Sequence, residues 1–463
     1  MGQKGISNSV FQLFVLLLFF PWVSFAQKGS ADKNDSALVK RNQGKFVEQM
    51  DLIDLKKKLF QPRHPIEQDV STDTVSAANP IRLMLLTGIL DNPNDSIPFR
   101  QPLSKTSPET NSLKMVQGRL YTSLAPAPGY NIQNGLLVIV ACNFSFLTGK
   151  SENTNVSAVS FNPDYSFTYH QVMLPVVFDI WSSENKINLL GDWRYYYYPT
   201  NTYGLGGHSS LANWDLVNYS YLRFYQQALK QIGKSKFYAG LGYDLDYHFD
   251  IRKVDSAGTG TDFQQYNAGA KQTVSSGATF NILYDSRKNS NNPVDNSAFC
   301  SLTYRANLKY MGSGQNWQSV YLDYRKYIKL SPNSDNVLTF WNIEWFTFGG
   351  NPPYFDLPST GWDPYSNTGR GYIQGRLRGP DMIYLESEYR FGITKNGLLG
   401  GVLFVNAESV SESQSPNFQT ILPGYGLGIR IKVNKYSGVN FAIDYGFGTQ
   451  GSNGPAFNVS EVF

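Results

Sequence analysis

Residues 439–448 read Val-Asn-Phe-Ala-Ile-Asp-Tyr-Gly-Phe-Gly and alternate in character at every step. Successive side chains of an extended chain point to opposite sides. Val439, Phe441, Ile443, Tyr445 and Phe447 therefore share one face, and Asn440, Ala442, Asp444 and Gly446 share the other. One face suits lipid and the other suits water. Residues 425–433 repeat the pattern, with Leu427, Ile429, Ile431 and Val433 set against Gly428, Arg430 and Lys432. Residues 320–330 do so again: Val320, Leu322, Tyr324, Ile328 and Leu330 oppose Tyr321, Asp323, Arg325, Tyr327 and Lys329, with Lys326 the one misfit. A soluble sandwich also alternates, but its outer face is seldom so aromatic. The pattern predicts an all-β fold, a transmembrane antiparallel β-barrel with apolar residues outward and charged residues inward.

Composition agrees. Of 463 residues, 15% are aromatic and only 16% charged, against roughly 25% charged in ordinary soluble proteins. Past residue 26 there is no apolar run of the 18 residues that a spanning helix needs. The formal net charge of +4 is no nucleic-acid footprint, and the basic residues do not cluster. Cys142 and Cys300 are the only cysteines, which leaves neither a disulfide scaffold nor a paired-cysteine metal site.

The chain begins Met-Gly-Gln-Lys, continues with an apolar stretch from Val10 to Phe20, and reaches Ser24-Phe25-Ala26. Small residues at 24 and 26 fit a secretory signal spanning 1–26, cut before Gln27. Residues 27–115 are expected to form a periplasmic tail. Within it, Phe46, Met50 and Ile53 recur at helical spacing, with Leu52, Leu55 and Leu59 on an adjoining stripe, and predict one amphipathic helix over about 45–60. That helix is a candidate docking point for a periplasmic partner.

The barrel is expected over 116–463. Strands are expected to begin near 136, 154, 170, 186, 215, 236, 268, 297, 316, 335, 380, 398, 423, 438 and 455. Those are fifteen starts, and bacterial barrels generally have an even number of strands. The expectation is sixteen, with fourteen as the alternative. Phe457, Val459 and the terminal Phe463 fall on one face of a final aromatic strand of the kind that serves as an assembly signal.

The longest non-strand segment, about 350–379, contains Thr368-Gly-Arg-Gly-Tyr372 and Gly375. After it come MIYLESEYRF (382–391), VLFVN (402–406), PGYGLGIRI (423–431) and FAIDYGFG (441–448), and then the aromatic terminus. This order resembles the C-terminal barrel of the bacterial surface-antigen superfamily that includes the BamA and TamA assembly factors. Asp285-Ser-Arg287 and Pro293 fit as well, although Asn296 stands where the family tends to have Gly. The resemblance implies an outer-membrane location and a loop that folds back into the lumen, where the arginine of an Arg-Gly-Tyr motif bonds acidic wall residues. Arg370, Gly371 and Tyr372 match that motif. Alternation puts Tyr384, Glu386, Glu388 and Arg390 on one face, and Val402, Phe404, Asn406 and Glu408 on one face of the next strand, both read as inward. Glu388 is thus a candidate carboxylate partner of Arg370. Where the family has a second acid, this chain has Asn406, which leaves Glu408 as a substitute. The family's polypeptide-transport-associated domains are expected to be absent, since 27–112 shows one helix and no strand set.

The resemblance implies assistance to insertion or translocation of proteins or lipids, with client outer-membrane proteins or lipids as partners. A passive pore with an occluded lumen, or a barrel anchoring a complex, are the other readings. No cofactor, metal site or enzymatic activity is expected. The histidines, His64, His170, His208 and His248, are scattered, and His208-Ser209-Ser210 reads as a solvated loop.

Overall fold

The computed structural model describes residues 115–131, 135–259, 261–363, 366–413, 415–434 and 437–463. The expected signal sequence and the 45–60 helix lie outside the described residues, as does all of the expected tail but Met115.

The described chain is a succession of antiparallel strands in one sheet. They are β1 (Leu120–Asn131), β2 (Gly135–Phe146), β3 (Ser157–Phe161), β4 (Asp164–Ser166), β5 (Val172–Trp181), β6 (Ile187–Tyr197), β7 (Thr200–Thr202), β8 (Asp215–Gln231), β9 (Phe237–Ser256) and β10 (Thr273–Asp285). After them come β11 (Ser297–Asn307), β12 (Trp317–Lys329), β13 (Val337–Phe348), β14 (Asp381–Gly392), β15 (Leu399–Glu412), β16 (Ser415–Phe418), β17 (Leu422–Lys432), β18 (Asn440–Phe447) and β19 (Asn453–Val459).

Pairing reduces these segments to fewer wall positions. β3 and β4 both bridge β2 to β5. β6 and β7 both pair with β8. β16 is a short spur at the end of β15, whose main partner is β17. Sixteen positions remain, and β1 and β19 come together to close the wall. The fifteen sequence starts match every position except β1. Its sequence, LYTSLAPAPGYN, carries two prolines, and proline argues against a strand wherever a ladder donor is needed.

The prolines sit where they cost the ladder nothing. Pro126 and Pro128 face Val140 and Val138 of β2. The Val140 amide bonds Pro163 on the opposite side of β2, so these are non-hydrogen-bonded pairs and the proline nitrogens point away from β2, into the seam. Pro455 of β19 faces Tyr445 of β18. The bonds from Gly448 to Ser452 and from Ser460 to Asn440 show that the even residues of β18 serve β19. Pro455 therefore also turns its nitrogen to the seam. Two donors on β1 and one on β19 are therefore missing from the seam.

Alternation is clean along the wall. In β17, Tyr425 (61% exposed) and Leu427 (54%) face out, while Arg430 (4%) faces in. Leu241, Leu385, Leu403 and Val405 continue the exposed apolar surface on other strands. A contiguous apolar exterior of this extent suits a bilayer and not water.

Connections alternate between short turns at one end, such as 232–236 and 393–398, and longer ones at the other, such as 257–272 and 349–380. The longest, 349–380, turns back into the lumen, and most of its described residues are buried. Two aromatic clusters receive it. One joins Tyr354, Phe355 and Trp362 of the loop to Tyr198, Tyr219 and Tyr221 of the wall. The other joins Tyr372 and Leu377 to Trp341, Tyr384 and the terminal Val462 and Phe463.

Candidate functional site: the loop lock and the lumen

The loop reaches the wall at Arg370-Gly371-Tyr372. Its backbone lies flush on β17 and β18 because glycines leave room. A side chain on Gly446 would come within 2.5 Å of the Gly371 nitrogen, and one on Gly448 within 2.6 Å of the Tyr372 ring. Gly371 itself adopts φ +101°, and a Cβ there would meet the Phe447 backbone at 2.9 Å. Only glycine combines that conformation with that approach. Gly424 of PGYG and Gly446 and Gly448 of YGFG are thus the floor on which the loop rests. Tyr372 donates its hydroxyl to the Pro423 carbonyl and accepts from the Thr449 amide at 2.9 Å, while Ser452 donates to the Gly371 carbonyl at 2.8 Å.

Alternation on β14 and β18 delivers the acids. The Arg370 guanidinium donates to Glu386, to Glu388 Oε2 at 2.6 Å and to Asp444 Oδ2 at 2.9 Å. Its carbon lies 3.6 Å from the centroid of the Phe404 ring, a close cation–π contact. Tyr384 donates to Glu386. Glu388 also holds Arg390 at 2.5 Å, and Asp444 holds Arg430 Nη1 at 2.6 Å. All of these groups are buried, so each ion is viable only through its partners.

Of the residues expected in the lock, Glu388 does contact Arg370. Asn406 and Glu408 do not bond the guanidinium: Asn406 Nδ2 donates to the Arg370 carbonyl at 3.0 Å, and Glu408 accepts from Thr360 Oγ1 at 3.1 Å. Asn406 steadies the loop backbone instead, and Glu408 holds a loop side chain. Sequence reasoning missed Glu386 and Asp444 as partners, although both lie on the polar faces it assigned. Alternation gives the face but not the height at which the loop docks.

The carboxyl end departs from the expected face. Phe457 and Val459 remain on the outer side of β19, paired with Ile443 and Phe441. After them Ser460 takes φ +76° and the chain turns inward. Phe463 is buried in the lumen, stacked on Trp341 at 5.0 Å, with its carbonyl accepting from Arg390 at 2.8 Å. Glu461 accepts from Arg430 at 2.7 Å and from Asn440 at 2.5 Å. Asn367 of the loop donates to the Val462 carbonyl at 2.8 Å. One buried network therefore clasps both the loop and the end of the seam strand. The single kink at Ser460 turns Phe463 off the face that period two assigns to it.

Elsewhere the inner wall repeats one device, an acid and an arginine two residues apart on one face. Asp192–Arg194, Asp285–Arg287 and Asp323–Arg325 pair at 2.6 to 2.7 Å. Arg223 and Arg305 both reach Asp246. The loop has a second anchor here: Ser275 donates to Asp356 at 2.5 Å, and His248 Nδ1 lies 3.4 Å from the same carboxyl. Burial and the nearby Asp246 raise the Asp356 carboxyl above the usual range. His248 is stacked face to face on Tyr221 at 4.2 Å. His208 pairs with Gln419 at 2.7 Å, and Ser209 accepts from Arg376 at 3.0 Å. Burial pushes the Arg376 and Arg378 guanidiniums down. Arg378 donates to the Tyr354 and Leu357 carbonyls, closing the loop on itself.

No protein-family description matches the sequence, and no curated protein does. Among solved structures, the chain is similar to BamA from Haemophilus ducreyi lacking POTRA domains 1–3, with 14% identity over 74% of this chain and 70% of that one, and a TM-score of 0.46. It is also similar to CdiB from Acinetobacter baumannii, with 13% identity over 74% of this chain and 60% of that one, and a TM-score of 0.47. CdiB from Escherichia coli matches at 10% identity, over 74% and 62% of the two chains, with a TM-score of 0.46. The matched region is less than two thirds of either CdiB chain.

Proposed function

We propose that this chain is an outer-membrane β-barrel that assists proteins or lipids to enter or cross that membrane, without covalent chemistry. The observation that carries the reading is the contrast between the axis and the seam. The axis is filled by a loop fixed at Arg370, by Trp362 and by the inturned Phe463. The seam is bordered by edges from which Pro126, Pro128 and Pro455 have removed donors. Passage down a plugged axis is obstructed, whereas opening a donor-poor seam costs fewer hydrogen bonds. The outward apolar surface places the wall in a bilayer, and the resemblance noted in the sequence supports the outer membrane as that bilayer.

Depletion of the protein in its native cell, followed by quantification of every other outer-membrane barrel and of surface lipid, tests this. A fall in barrels or a loss of lipid asymmetry is the expected result. An unchanged membrane together with a large steady conductance of the wild-type protein in planar bilayers would replace it with a pore.

A further inference from the structure

At the end of the short turns, periplasmic in bacterial barrels, the connection between β10 and β11 is the longest among the described residues. It runs over 286–296, whereas the turns 232–236 and 393–398 have five and six residues. Its roots are fixed on its own wall. Ser286 Oγ accepts from the Ala298 amide at 2.8 Å, Arg287 pairs with Asp285 at 2.7 Å, and Asn296 accepts from the Lys329 amide at 2.8 Å. Counted from β1, with β3 and β4 as one position and β6 and β7 as another, β10 and β11 are the eighth and ninth of the sixteen wall positions. The seam between β19 and β1 therefore lies on the opposite side of the barrel.

The segment nonetheless reaches that seam. Asn289 Nδ2 donates to the Ser437 carbonyl at 2.7 Å, and Asn292 Nδ2 to the Gly438 carbonyl at 3.5 Å. Asn291 accepts from the Glu461 amide at 3.1 Å through its carbonyl and from Ser460 Oγ at 3.4 Å through Oδ1. Gly438 permits the approach: it adopts φ +75°, and a Cβ there would lie 3.0 Å from Asn289 Nδ2 and 3.5 Å from Asn292 Cβ. Ser460 and Glu461 continue β19. Ser437 and Gly438 belong to the β17–β18 turn, whose Asn434 reaches past β19 and donates to Ser123 Oγ of β1 at 3.2 Å. The Ser437 amide donates to Asn434 Oδ1 and the Gly438 amide to the Asn434 carbonyl, both at 3.0 Å. The same two residues thus receive the segment on their carbonyls and orient the asparagine that crosses to β1. Asparagine suits such bridging, since its amide donates and accepts at once.

We infer that residues 286–296 form a strap that clasps the periplasmic end of the seam, holding β19 through Asn291 and β1 through Ser437 and Asn434, and that the strap has to let go before the seam parts there. This rests on the proposed role for its use in the cell, and it names what keeps the seam shut where Pro126, Pro128 and Pro455 have removed ladder donors. The clasp is suited to release. Its contacts with the seam are neutral hydrogen bonds, individually weaker than the charge-assisted bonds that fix Arg370. The buried Asn291 Nδ2, moreover, has no partner among the described residues.

The test uses the full-length protein carrying Cys142→Ala and Cys300→Ala, spin-labelled at Leu120→Cys and Val459→Cys and reconstituted in phosphatidylethanolamine–phosphatidylglycerol vesicles. These labels sit at the periplasmic ends of β1 and β19. Double electron–electron resonance should give a narrow distance distribution, and Asn289→Ala with Asn292→Ala should broaden and lengthen it. Labels at Leu302→Cys and Leu385→Cys, exposed on strands away from the seam, should keep their distance. An unchanged distance between 120 and 459, or an equal change in both pairs, would overturn the clasp. Release is tested in the depleted cell. Asn292→Cys with Gly438→Cys, placed for a disulfide by the 3.5 Å between their Cβ positions, should fail to restore the other barrels or the surface lipid, whereas Asn292→Cys alone restores them. Full restoration with the disulfide formed would overturn the need for release. If depletion leaves the membrane unchanged, the proposed function falls, and the distance measurement still decides the clasp.

Discussion

The arc from β13 to β18 and the arc from β1 to β6 are built on the same alternation, yet they present different chemistry to the lumen. The first is glycine-floored and carries Glu386, Glu388, Asp444, Arg390 and Arg430. The second sets Leu137, Ile139 and Ala141 of β2 and Met173 and Val177 of β5 on either side of Ser160, Asn162 and Asp164. The difference follows what each arc faces. Where the loop lies against the wall, glycines admit its backbone and carboxylates meet its arginine. Where no loop backbone lies against β2 to β5, apolar side chains share the inward positions with polar ones.

The largest effect should come from severing the first arc from its loop. Arg370→Ala leaves Glu386, Glu388 and Asp444 without their shared cation, and removing one partner of a buried ion pair costs roughly 3 to 5 kcal/mol. Proteolysis within 350–380 should accelerate and the heat needed to unfold the barrel on gels should fall. If both stay at wild-type values, the cluster is not a lock. Phe463→Ala should cost about 3 kcal/mol, at the low end for a buried Phe because the residue is terminal. It should also loosen Asn367 of the loop, and protease sensitivity confined to the carboxyl end would show instead that the two are uncoupled.

Gly446→Ala probes the floor and should cost about 1 to 3 kcal/mol, since its Cβ would overlap the Gly371 nitrogen. Gly392→Ala, a strand glycine without a positive φ where a Cβ meets nothing within 4 Å, is the control for a glycine outside the contact. On the second arc, Pro126→Thr with Pro128→Thr should stabilise the barrel by about 1 kcal/mol for each seam hydrogen bond formed. A destabilised double variant would mean that those nitrogens do not face a partner edge.

The smallest effect concerns pH. The Asp356 carboxyl is raised in the docked loop, so the docked state holds a proton that the undocked state, near the usual value of about 4, releases. Docking should therefore weaken as pH rises above about 4, and Asp356→Asn should flatten that dependence in the rate of proteolysis of 350–380. The same slope in wild type and Asp356→Asn would assign it to another group.

Much of this was legible in the sequence. The faces of β12, β17 and β18 follow from period two, and Arg370-Gly371-Tyr372 stands out as a loop motif flanked by glycine-rich strands. β1 was not legible, because Pro126 and Pro128 look like strand breakers until their nitrogens are known to face an edge. Glu386 and Asp444 were on the correct faces but could not be matched to Arg370, since the loop's depth is set by contacts between residues 74 positions apart, as for Arg370 and Asp444.

The sequence by itself determined the alternating wall, its apolar exterior and the charged residues on inward faces, because strand geometry ties position in the chain to side of the sheet. Tertiary structure alone decided which acids meet Arg370, that Phe463 turns inward at Ser460, and that residues 350–380 fill the lumen. Those outcomes depend on closing the barrel, which brings together residues that no local period relates.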